Sequence, residues 1–227
     1  MILLKRIFLT GVIIKFVFLS GPLFGDEARS IKLEIERALE KGVKWLNQEQ
    51  NQSTGHWGES DYPALTALAL RATLGHPDLS VVGKYSKNQE KGFAFILSNV
   101  QSDGGIYGKG LASYNTSICM MALMQKKNPE YEEIIRSARR FLVNQQSDFD
   151  IKGEQDNTFD GGIGYGSRWA HSDLSNTHLA MEALFYAKKS FQSTEAQKLD
   201  LDWDAAISFV SKCQNLPSTN KEKRRRK

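Results

Sequence analysis

The sequence predicts an all-α protein of about three and a half helical hairpins, on three observations. First, an aromatic, an aliphatic and a following glutamine recur as Trp45-Leu46 with Gln50, Phe95-Ile96 with Gln101, Phe141-Leu142 with Gln146, and Phe209-Val210 with Gln214. Second, a turn rich in glycine follows the first three: Gly55-His56-Trp57-Gly58, Gly104-Gly105-Ile106-Tyr107-Gly108, and Gly161-Gly162-Ile163-Gly164-Tyr165-Gly166. Third, no sustained period-two alternation suggests strands. Each turn leads into a second apolar segment, and stacked units of this kind share one core.

The first helix is expected over residues 28–50, where Leu39, Val43 and Leu46 recur at three- and four-residue steps. Gly42 inside it costs on the order of 1 kcal/mol relative to Ala and points to close approach by a neighbouring helix. Pro63 suits the first turn of the partner helix, where its missing N–H is harmless. Leu65, Leu68, Ala69 and Ala72 line one face of that helix, and Gly75 with Pro77 ends it. The second hairpin is expected as 92–101 and 115–126, with Ile118, Met121 and Ala122 as its apolar face and Asn128-Pro129 as its stop. The third runs over 134–146, then a polar insertion at 147–159, the glycine turn, and a helix at 176–188. The fourth starts at Trp203 and breaks off after Gln214. Lengthening a surface loop costs little, which accommodates the uneven spacing.

The chain has 227 residues, enough for one domain with a real core, and a net charge of +4. Much of that charge sits in Lys223-Arg224-Arg225-Arg226-Lys227, so residues 215–227 read as a disordered basic tail and nothing argues for nucleic acid. Lys5 and Arg6 precede the apolar run 7–24, and the small Gly25 precedes Asp26. Residues 1–25 therefore read as an export signal, placing the 28–214 domain in a periplasmic or extracellular setting. The other reading is an uncut membrane anchor, against which Lys15 and the short apolar length both weigh. Cys119 and Cys213 lie in different hairpins. They read as a disulfide in an exported protein or as two small buried apolar residues. Neither has metal-ligand spacing, and no metal or cofactor is expected.

A glutamine at a helix end can satisfy backbone groups left open there or at the next helix start. The whole phrase resembles the QW motif of terpenoid cyclases. Lys41-Gly42, Trp45-Leu46, Gln50 and Gly55-His56-Trp57 match throughout, and Lys91-Gly92, Phe95-Ile96, Gln101 and Gly105-Ile106-Tyr107 match with Tyr in place of Trp. The third unit matches through Phe141, Gln146 and Gly164-Tyr165. The resemblance implies an α/α toroid, here partial, of the squalene–hopene cyclase and protein prenyltransferase superfamily. It also implies a central cavity for an isoprenoid or other apolar small molecule.

The family's chemistry is matched only in part. Cyclases of this kind protonate an alkene with an Asp-x-Asp-Asp cluster. The corresponding segment here is Asp173-Leu174-Ser175-Asn176-Thr177, where only the first acid is present. Ser and Asn before an apolar helix also read as caps. Asp202-Trp203-Asp204 offers two acids ahead of what the resemblance makes an outer-ring helix, and reads as solvated. Prenyltransferase zinc needs an Asp/Cys/His set, for which Cys119 and His178 qualify by residue type alone. His56 and His76 fall in a glycine turn and at a helix stop. His171 with Asp173 is the candidate catalytic pair, with local hydrogen bonding as its competing reading. Trp57, Tyr107, Tyr165 and Trp169 are the candidate cavity aromatics, with turn packing as theirs. Two alternatives stand beside the isoprenoid reading. One is a non-enzymatic scaffold for a protein or surface partner. The other is a carbohydrate-processing toroid using Asp160 and Asp173.

Overall fold

In a computed structural model, described over residues 23–166, 171–190, 199–214 and 216–219, the protein is all-α, with no strand among the described residues. The helices are α1 (Leu23–Glu49), α2 (Pro63–Leu74), α3 (Leu79–Lys84), α4 (Ser86–Leu97), α5 (Ala112–Lys126), α6 (Glu132–Val143), α7 (Leu174–Ser190) and α8 (Trp203–Cys213), with a 3-10 turn at Pro129–Tyr131. Most of the expected export signal, most of the expected basic tail, and Trp169 lie outside the described residues. Among the described residues no helix is long and apolar enough to cross a membrane.

Several elements differ from the sequence expectation, and for the following the reason is local. The helix α3 was not expected. It starts because the Asp78 carboxylate accepts the Ser80 N–H at 2.8 Å, a side-chain cap placed directly after Pro77. The helices α4 and α6 end before Gln101 and Gln146 rather than running through them. Their last residues are drawn into short antiparallel bridges, Val100 with Ile106 and Gln146 with Ile163, which need extended backbone. Lastly, α5 and α7 begin early enough that Asn115 and Asn176 sit inside the first turn instead of capping it.

The chain divides into two units, Met1–Leu39 and Glu40–Lys227. In the first, the described side chains are all exposed, including Ile31, Leu33, Ile35 and Leu39, and Lys32 pairs with Glu36 one turn on at 3.8 Å.

The second unit holds the core. Three helix–turn–helix segments follow one another: α1 to α2, α4 to α5, and α6 to α7. The second helices pack side by side with α5 in the middle, between α2 and α7. The first helices back them, α4 against α2, α6 against α5 and α7, and α8 against α7. The helix α5 is buried almost all round, from Ala112 to Leu123, which is why its apolar residues show little one-sided pattern. The helix α6 has the opposite character. Ile135, Ala138, Phe141 and Leu142 form its buried stripe while Glu132, Glu133 and Arg140 face solvent. Phe93, Leu70, Ile96, Ile106, Met120, Leu142, Ile163 and Leu184 fill the centre.

Candidate functional site

The three glycine turns share one set of bonds. The backbone N–H of Trp57, Ile106 and Ile163 donates to the hydroxyl of Thr66, Thr116 and Thr177 at 3.0, 2.9 and 2.8 Å. All three threonines are fully buried in the first turn of the second helix. The backbone thus ties each turn to the helix it feeds, and a buried N–H that would otherwise be orphaned is satisfied. These bonds place Trp57, Ile106 and Ile163 at one structural position. The expected register, which set Trp57 against Tyr107 and Tyr165, is corrected accordingly. The matching triplets are Gly55-His56-Trp57, Gly104-Gly105-Ile106 and Gly161-Gly162-Ile163.

The same turns receive the next helix. Gly55, Gly104 and Gly161 have φ of +82°, +88° and +84°. A Cβ on them would stand 2.4, 2.8 and 2.1 Å from the carbonyl oxygens of Lys91, Ser137 and Ala205, in α4, α6 and α8 respectively. Only glycine allows that backbone and that contact together. An aromatic on the arriving helix covers the joint. Phe95 stacks on His56 at 5.1 Å, Phe141 on Tyr107 at 5.9 Å, and Phe209 lies against Gly162.

The glutamines complete two of the joints. Gln50 Nε2 donates to Gly55 O and Asn88 O, both at 2.8 Å. Gln146 Nε2 donates to Gly161 O at 3.0 Å and Asp202 O at 2.9 Å, and its Oε1 accepts the Asp202 N–H at 2.9 Å. Gln101 differs: its Nε2 donates to Asn99 O and Tyr107 O, inside its own turn.

The candidate catalytic pair sits at the start of α7. Asp173 is half-buried, and its Oδ1 accepts from the backbone N–H of Asn176 at 2.9 Å and from Asn176 Nδ2 at 2.8 Å. Its carbonyl accepts from Thr177 N and Thr177 Oγ1. Asp173 is therefore the cap of α7, the role that sequence gave to Ser175 and Asn176. His171 is exposed and packs edge-on against Phe159 at 6.3 Å.

The three candidate aromatics among the described residues each pack in different surroundings. Trp57 is buried in the core, its indole N–H donating to Leu46 O. Tyr107 is half-buried over Phe141, and its hydroxyl donates to Asp103 at 2.7 Å. That bond, with partial burial and the Asp103 charge, pushes the phenol up to about 12. Tyr165 is half-buried, and its carbonyl accepts the Ser113 N–H at 3.2 Å.

Asp160 is buried, with its carboxylate accepting from Phe149 N and Asn157 N, both at 2.7 Å. It organises the 147–159 insertion. Asp202 caps α8 through Ala205 N. Cys119 is sealed in α5, where burial pushes its thiol well above the ordinary range, and His178 is exposed on α7. Among the described residues no three His, Cys, Asp or Glu side chains come together as a metal site. His56 bonds Thr54, and His76 bonds the Asp78 backbone.

Two surface clefts open beside the joints. One, of ≈ 310 Å³, is lined by Gln101, Asp103, Gly104, Glu133, Ser137 and Arg140, among others. The other, of ≈ 180 Å³, is lined by Gln146, Asp148, Glu154, Asp160, Gly161 and Asp202, among others. Both are polar. Sequence reading missed a link among the second helices. Arg71 of α2 reaches past Met121 of α5, its Nη1 3.5 Å from the sulfur, to Glu182 of α7 at 3.9 Å. Nothing in the local sequence around either residue signals that pairing. A second missed pair, buried Arg139 with Asp200 at 3.1 Å, ties α6 to the approach to α8.

Comparison with known protein families gives no matching family. Comparison with curated proteins likewise gives no match.

Proposed function

We propose that this chain is a binding protein of the terpenoid-cyclase kind, a partial α/α toroid of helical-hairpin repeats that is exported and holds an isoprenoid or other apolar ligand without cyclising it. The observation that carries this reading is the employment of Asp173. The one acid left at the family's Asp-x-Asp-Asp position spends its oxygen on capping α7, and Ser175 and Asn176 supply no second acid. Leu65 and Leu68, one helical turn apart on α2 and both exposed, support an apolar ligand. The test is incubation of the protein with squalene and with a polyprenyl alcohol, followed by binding measurement and product analysis. Saturable binding with unchanged lipid is the expected result. Cyclised product would refute the non-catalytic assignment, and absence of binding would refute the ligand class.

A second reading, a scaffold for a protein partner, is favoured by one observation. Trp45 is 58% exposed on α1, at the helix position where Phe141 and Phe209 are buried.

A further inference from the structure

The three internal joints define what the equivalent face of α1 is built to meet. In α4, α6 and α8 the arriving helix presents a residue whose carbonyl contacts the turn glycine, then a small residue, then an aromatic. These are Lys91, Gly92 and Phe95; Ser137, Ala138 and Phe141; Ala205, Ala206 and Phe209. The small residue is buried in every case: Gly92 is buried, and Ala138 and Ala206 are fully so. At Gly92 an added Cβ would meet Trp57 at 2.9 Å and Leu70 at 3.1 Å, both from the preceding hairpin.

The helix α1 carries the same set as Lys41, Gly42 and Trp45. There the environment is reversed. Lys41 and Gly42 are exposed, a Cβ on Gly42 would meet nothing within 4 Å, and Trp45 is 58% exposed. A helix-interior glycine costs on the order of 1 kcal/mol relative to Ala, and here no close neighbour offsets that cost. The three glycine turns of the described residues are each filled already, by α4, α6 and α8.

We propose that the Lys41–Gly42–Trp45 face of α1 docks into the glycine turn of a further helical hairpin, other than those of the described residues, by the contact that α4, α6 and α8 make. The partner is defined by chemistry. It is a helical hairpin whose turn offers a positive-φ glycine that no helix of its own fills. A second glycine after it, as at Gly162 beneath Phe209, leaves room for the indole. An intact second copy does not qualify, since its described turns are occupied. The inference rests on the scaffold reading and is independent of any lipid on α2.

The test creates a free turn in the full-length chain. Ala206→Arg places a long cation at a fully buried site of α8 and displaces that helix from Gly161. Phe209→Asp does the same by a different route, and serves if the first variant loses its helical circular dichroism. By sedimentation velocity, the unaltered chain is expected as a monomer, and the displaced variant as a concentration-dependent head-to-tail series. Adding Trp45→Glu is expected to return that series to monomer. A tenfold excess of unaltered chain, which offers α1 but no free turn, is expected to shorten it. A folded displaced variant that stays monomeric overturns the proposal, as does association that Trp45→Glu leaves intact. An unaltered-chain dimer dissolved by Trp45→Glu would assign the face to a second copy and also overturn it. None of these outcomes depends on squalene or polyprenyl binding, so failure here and failure of the lipid reading are separable.

Discussion

Replacing Gly161 by alanine tests the joint between glycine turn and following helix, provided it is compared with the same change at Gly153. Both glycines have φ of +84°. An L-residue in that region costs roughly 1–2 kcal/mol, and both variants carry this term. Only Gly161 carries a second one. Its new Cβ would lie 2.1 Å from the Ala205 oxygen and 2.3 Å from the Ala205 carbonyl carbon, whereas at Gly153 nothing stands within 4 Å. Backbone cannot swing aside as a side-chain tip can, so α8 must move outward. That movement loosens Phe209, which is 5% exposed, and full burial of such a side chain is worth about 1.5–3 kcal/mol. It also stretches the two Gln146–Asp202 bonds at 2.9 Å, each contributing about 0.5–1.5 kcal/mol. Partial loss of both terms makes Gly161→Ala at least ~2 kcal/mol more destabilising than Gly153→Ala. Urea unfolding followed by far-UV circular dichroism reads this as a lower midpoint at unchanged slope. Equal destabilisation in the two variants would refute the reasoning, because the shared backbone strain would then account for everything.

Other expectations follow from single contacts. Asp173→Ala should lower stability by about 1 kcal/mol through loss of the α7 cap, while Asp173→Asn should change little, both measured by chemical denaturation. Burial pushes the Asp200 carboxyl up, but hydrogen bonds from Lys188, Trp203 and the Leu201 backbone outweigh it and hold the group below its ordinary value. Its folded pKa being depressed, its stabilising contribution is full above the unfolded value of about 3.9 and is lost as pH falls through the folded one. Asp200→Asn should therefore flatten the acid limb of a stability–pH curve and cost on the order of 2 kcal/mol at neutral pH, where Arg139 and Lys188 each lose a charged contact. An unchanged acid limb would disprove that account. The Tyr107 phenol should titrate near about 12 by ultraviolet absorbance, and Asp103→Asn should bring it down toward the ordinary value.

Much of the candidate site was legible residue by residue, and less of it as an arrangement. Asp173 was singled out by its resemblance to one position of an acidic motif, and a capping role was foreseeable for its segment because capping is local. That Asp173 itself caps, with Asn176 as donor, depended on where α7 starts. Trp57 was visible as a turn aromatic, but its depth was not. Its equivalence to Ile106 and Ile163 became plain only through the threonine bonds, since spacing in sequence favoured Tyr107 and Tyr165. Gln101 carries the same letter as Gln50 and Gln146 yet keeps its bonds within one turn. The Arg71–Glu182 pair left no trace in sequence at all.

By itself the sequence determined the all-α class, the identity of most helices and the glycine punctuation between them. These depend on interactions between near neighbours: apolar residues at three- and four-residue steps, proline at a first turn, glycine where the chain reverses. Tertiary structure alone decided which helix each glycine turn accepts, which polar groups bury as pairs, and which copy of a recurring face is left uncovered. Those outcomes depend on contacts between residues distant in the chain, such as Gly161 with Ala205, and the energy of such a contact is set by geometry that no local pattern encodes. Trp45 and Phe141 share a phrase in sequence. One lies open to water and the other in a joint because only one has a glycine turn packed against it.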